Sequence, residues 1–139
     1  MEITERIEYR LRLGASLHFL IAIGHLACLF FLEEALKAYG IWDLMKFLCF
    51  GQVWVLYVIT VFLAIDFAIA GLYALSASKD IIKLPLQRLV IITIIGVYGI
   101  RTIVGTYWLI GEFSYLQFFS TLVPTILVWC YMPGINRKI

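Results

Sequence analysis

Four ionisable residues, His18, His25, Asp66 and Arg101, stand inside long apolar runs. Placing Asp or Arg at the centre of a membrane helix costs roughly 2.5–3.5 kcal/mol on the insertion scale. Such residues persist where they pair, line a wet cavity, or both. A carboxylate, a guanidinium and an imidazole at one depth can bind a small anion or exchange protons, because histidine titrates near neutral pH. The chemistry this suggests is proton- or ion-coupled movement of a small solute.

Four runs must carry those residues, over 13–32, 52–75, 89–111 and 113–132. Each meets the roughly 20 residues needed to cross a hydrocarbon core. At about 1.5 Å of rise per residue, His25 and Arg101 lie roughly 18 Å above the inner ends of their runs. Asp66 and Thr121 lie roughly 14 and 17 Å above theirs, in a core about 30 Å thick. One polar residue from every run thus reaches the same layer. His18 lies about two turns closer to the inner end and nearly above the same face as His25. The remaining candidates for solute binding are Tyr98, a helical neighbour of Arg101, and Gln117, which shares a face with Thr121. An Asp66–Arg101 ion pair in the bundle interior is expected, with His25 within hydrogen-bond or water reach. A pair that only fixes helix register is the competing explanation.

The neighbouring residues suit helix packing. Gly14, His18, Ala22, His25 and Cys28 form a small and polar stripe, and Ser114, Gln117, Thr121 and Thr125 form another. Ala64, Ala68 and Gly71 begin a small-residue seam that Leu75 ends. Small residues at this spacing let helices approach closely. Pro124 leaves the carbonyl of Ser120 without its usual intrahelical donor.

Composition sets the class. The chain has 139 residues, 63% of them hydrophobic and 14% charged. Soluble chains run at roughly 45–50% apolar and 25% charged. The excess must face lipid, so the expected fold is an all-α integral membrane four-helix bundle in a single domain. A two-residue alternation of barrel strands is absent. Pro85 is placed for a first helical turn, and Pro133–Gly134 for the end of the last helix. Residues 33–48 mix aromatics with charges and suit either a short interfacial helix or a connecting loop.

Charge placement gives an orientation. Eight basic residues precede the first run, separate the second from the third, or follow the fourth; Lys37 and Lys46 alone lie on the opposite side. That bias puts both termini in the cytoplasm, at a bacterial-type inner or plasma membrane. The mixed charge of residues 2–12 and the length of the first run read as a retained span, not a cleaved leader.

Other chemistries fit less well. The formal charge of +2 does not suggest a nucleic-acid partner. Cys28, Cys49 and Cys130 show no C-x-x-C spacing, although a Cys28–Cys49 disulfide is open. His18 and His25, about 10 Å apart along one helix, cannot clamp one haem iron between them. Arg101 at the level of His25 and Asp66 opposes a metal cation, and no nucleophile elbow or H-E-x-x-H is present. A hydrolase or transferase built on His25 and Asp66 is the residual enzyme reading. Cofactors are unassigned. The expected partners are the bilayer and a second copy or a larger membrane complex. A lipid- or quinone-binding or accessory role is the alternative to transport.

Overall fold

The computed structural model describes residues 3–135, and among them there is no strand. Helix α1 spans Ile3–Cys28 and continues through a 3-10 turn, Leu29–Phe31, into α2, Leu32–Ala38. Then follow α3 (Trp42–Leu48), α4 (Val53–Ser78), α5 (Gln87–Gly111) and α6 (Tyr115–Ile135). Four segments are long and apolar enough to cross a membrane: Ile3–Ala38, Val53–Ser78, Gln87–Gly111 and Tyr115–Ile135. Between 17 and 33% of the most apolar stretch of each is buried, so most of that surface faces outward. Phe30, Ile103 and Ile110 are among the outward residues.

Helix boundaries differ from the expected spans for local reasons. Helix α1 begins ten residues early, because residues 3–12 are rich in Glu and Arg, which favour helix regardless of hydropathy. Pro85 does not open α5: it lies in the preceding turn, and Leu86, with φ of +53°, is the N-cap. Pro133 does not end α6, which continues to Ile135. Residues 32–48 form two short helices instead of one. They are separated at Gly40, whose φ of +69° a side chain would resist.

The chain divides into two compact units, one holding residues 18–69 and the other residues 3–17 with 70–135. In the first, Leu32, Cys49 and Leu56 form a small core, flanked by Leu36, Trp42, Met45 and Val55. The two short helices are thereby folded onto the start of α4. Cys28 and Cys49 are both free thiols, so no disulfide joins them.

In the second unit the start of α1, the end of α4, the start of α5 and the end of α6 meet around Leu11, Ala15, Ala74, Ile91, Leu127 and Tyr131. Glycine permits two of the contacts. A Cβ on Gly14 would lie 2.8 Å from the Tyr131 ring, and one on Gly134 would lie 3.3 Å from Ile91 and 3.5 Å from Leu11. The Tyr131 hydroxyl donates to the carbonyl of Ala70 at 3.3 Å. The 79–86 turn is tied down as well. Ser76 Oγ donates to the Ile82 carbonyl at 3.0 Å and accepts from the Leu84 N–H at 2.9 Å. Tyr73 donates to the Pro85 carbonyl at 3.0 Å. Arg12 forms a two-point ion pair with Asp80, at 2.8 and 2.7 Å.

Candidate functional site

Helices α5 and α6 are joined by a short turn, closed where the Phe118 N–H bonds the Ser114 carbonyl at 2.8 Å. A brief connection makes them antiparallel neighbours. Gly105 sets how closely they approach: a Cβ there would overlap Thr121 Oγ1 and lie 2.9 Å from Arg101 Nη1. The space a side chain would fill is taken by Thr121, which is buried, and by the Arg101 guanidinium reaching one turn along its own helix.

Hydroxyls line the facing side of α6. Arg101 Nη2 donates to Ser120 Oγ at 3.2 Å. Ser120 and Thr121 in turn donate to the Gln117 carbonyl, at 3.1 and 2.8 Å. The hydroxyls of Thr102 and Thr125 lie 3.4 Å apart across the seam. Pro124, buried in α6, supplies no N–H to the Ser120 carbonyl. A hydroxyl, a freed carbonyl and a guanidinium are thus assembled about 21 Å along α5, counted at the standard rise. A guanidinium has five N–H donors. With Ser120 taking one of them at this exposed position, donors remain for a solute oxygen.

Arg101 was expected in the bundle interior. Arg101 shares the angular stripe of Ile91, Ile94 and Gly105, which are buried, yet its own side chain is exposed. Within this unit, α1 and α4 meet the bundle near Leu11, Gly14 and Ala70, at the opposite end. Within this unit α6 is the helix that flanks α5 at Arg101. Tyr98 and Gln117 are half-buried.

Asp66 is exposed too, and the reason is angular. The buried stripe of α4 runs through Leu56, Thr60, Ala64, Gly71, Ala74 and Ser78. Two residues beyond Ala64 is about 200° around the helix, so Asp66 faces away from the stripe. The small-residue seam also extends further than expected, because Ala74 and Ala77 continue it where Leu75 does not. Asp66 and Arg101 belong to different units, and each is exposed, against the expectation of an ion pair buried in the interior.

Phe67, which the sequence did not single out, is the α4 residue that meets both histidines. Its ring centroid lies 4.8 Å from that of His25 and 6.2 Å from that of His18. His18 is fully buried. His25 is half-buried, and its Nδ1 lies 2.9 Å from the Ile21 carbonyl. A carbonyl only accepts, so Nδ1 carries the proton in this contact. Within this unit no carboxylate bonds His25. Among the described residues, no group of three His, Cys, Asp or Glu side chains is placed to hold a metal.

The elements and the seam define a class, an integral membrane protein with a polar seam between two of its four long apolar helices. Comparisons with protein-family models, with curated proteins and with solved structures return no match.

Proposed function

We propose that this protein moves a small solute across the bilayer in a proton- or ion-coupled way, and that Arg101 is the charge the solute meets midway. The observation that carries the reading is the guanidinium held by Ser120 over Gly105, beside hydroxyls and a carbonyl that Pro124 frees. An exposed cation at that depth costs roughly 2.5–3.5 kcal/mol unless an anion or another protein surface meets it. A homo-oligomer that covers the seam suits this requirement. Asp66 enters by depth alone, as the opposite charge on a separate helix, and His25 as the imidazole that packs against Phe67. The positive-residue bias supports cytoplasmic termini in an inner or plasma membrane.

The test is flux into liposomes at several pH values, with chloride, acetate and a small amine as solutes. The wild type should give a pH-dependent flux that Arg101→Gln removes and Asp66→Asn uncouples from pH. If no tested solute moves, or if Arg101→Gln moves it equally well, the transport reading is wrong.

An accessory or lipid-binding role is the second reading, favoured by one feature. Tyr107, Trp108, Phe113 and Tyr115 form an aromatic flank, each more than half exposed, around the α5–α6 turn. Such a surface suits an apolar ligand or a partner chain. Native mass spectrometry of the purified protein, retaining a quinone, a lipid or a second polypeptide, would favour it over autonomous transport.

A further inference from the structure

We propose that the turn between α4 and α5 is a binding site for an anionic phospholipid, whose phosphodiester sits on the first turn of α5 beside Lys83 and Arg88. Three observations converge there.

The start of α5 is open. Its N-cap, Leu86, has no side-chain oxygen to offer, and the first backbone bond of the helix is that of Val90 to the Leu86 carbonyl. The N–H groups of Gln87, Arg88 and Leu89 are therefore uncapped at the positive end of a 25-residue helix, an arrangement that favours anions.

Gln87 is 3% exposed, and neither Oε1 nor Nε2 has a hydrogen-bond partner. Burying an amide without partners is unfavourable, so this turn is incomplete on its own. Gln87 is the first residue of α5, in the same helical turn as the three open N–H groups. A head group entering beside it brings what the amide lacks. A phosphate oxygen accepts from Nε2, and a head-group hydroxyl donates to Oε1.

The surrounding charge is uncompensated. Lys79, Lys83 and Arg88 are exposed, while the one acid of the turn, Asp80, is already engaged by Arg12 and by the Ser78 hydroxyl. Ile82, Leu86 and Leu89 are exposed among these cations. Cations interleaved with outward apolar side chains match the boundary of head groups and acyl chains, where a soluble anion would gain nothing from the apolar residues. The bonds from Tyr73 and Ser76 hold the backbone of the turn in place, so the Gln87 side chain is what must turn outward to meet the head group.

The experiment is native mass spectrometry of the full-length protein in detergent, with a thermal melt in parallel. Three additives are compared: phosphatidylglycerol, phosphatidylcholine and inorganic phosphate. Phosphatidylglycerol should give a saturable single adduct and a raised melting temperature, and the other two should not. Each cation near an anionic surface contributes roughly fivefold in affinity, so Lys83→Gln with Arg88→Gln should weaken the adduct by about 25-fold. Both residues are exposed, so the double variant should fold. Gln87→Leu should raise the lipid-free melting temperature while losing the increment that phosphatidylglycerol confers. Equal adducts with phosphatidylcholine, displacement by inorganic phosphate at similar concentration, or an unchanged adduct in the double variant would each overturn the proposal.

Discussion

The Arg10 guanidinium donates to the backbone carbonyl of Trp129, the acceptor that Pro133, four residues further along α6, has no N–H to meet. The same guanidinium lies 4.0 Å from the centre of the Trp129 ring. One residue at the start of α1 thus fills the gap in the α6 hydrogen-bond ladder and covers the ring beside it. This explains how α6 continues past a proline that sequence rules assign to its end.

Arg10→Met should accordingly lower stability by about 1–2 kcal/mol, combining a charge-assisted bond with a cation–π contact. Pro133→Ala restores the missing N–H. In that background the cost of Arg10→Met should shrink. Unfolding in detergent by circular dichroism measures all four proteins of the cycle, and equal losses in both backgrounds would separate Arg10 from the proline.

Two glycines of α5 should respond in opposite directions. Gly105→Ala forces a methyl into Thr121 and the Arg101 guanidinium and should destabilise by about 1–3 kcal/mol. Gly99 has nothing within 4 Å of an added Cβ. Gly99→Ala should therefore be neutral or stabilise by up to about 1 kcal/mol, through helix propensity alone. Thermal melts of the two variants, with Gly105→Ala/Thr121→Ser as a partial rescue, check the assignment of the seam.

The Arg12 guanidinium, with help from the Ser78 hydroxyl, holds the Asp80 carboxyl below its ordinary range. Its folded pKa is thus lower than its unfolded value near about 3.9. The stabilisation is present above the unfolded pKa and is lost as pH falls through the folded one. The pair is partly exposed and screened by salt, so the effect is small. Melting temperature measured from pH 6 down to pH 2.5 should show an acid limb that Asp80→Asn flattens and high salt reduces. An identical acid limb in Asp80→Asn would assign it to other carboxylates.

Much of this protein was legible without coordinates. Apolar runs long enough to span a bilayer determine four long helices, because lipid offers no partner to an unpaired backbone. The polar layer was visible as residue types, and Arg101, Gln117 and Thr121 do share one seam. Ser120 and Gly105 could have been read from the same pattern, since Pro124 marks a freed carbonyl and Gly105 lies one turn beyond Arg101.

Depth along a helix follows from counting residues, but direction around it depends on which face the neighbours bury. Asp66 was expected to face the bundle interior, but it is exposed, and the α4 stripe through Ala64 and Gly71 lies on the other side of the helix. Phe67, one residue on, is what packs against the two histidines. Pro133 reads as a helix end until the Arg10 guanidinium, 119 positions from Trp129 in the chain, supplies that residue's carbonyl with the missing donor. The sequence alone determined class, spans and the inventory of polar groups, since these depend on local hydropathy and backbone chemistry. Tertiary structure alone decided which of those groups face one another, because that is set by contacts between residues far apart in the chain.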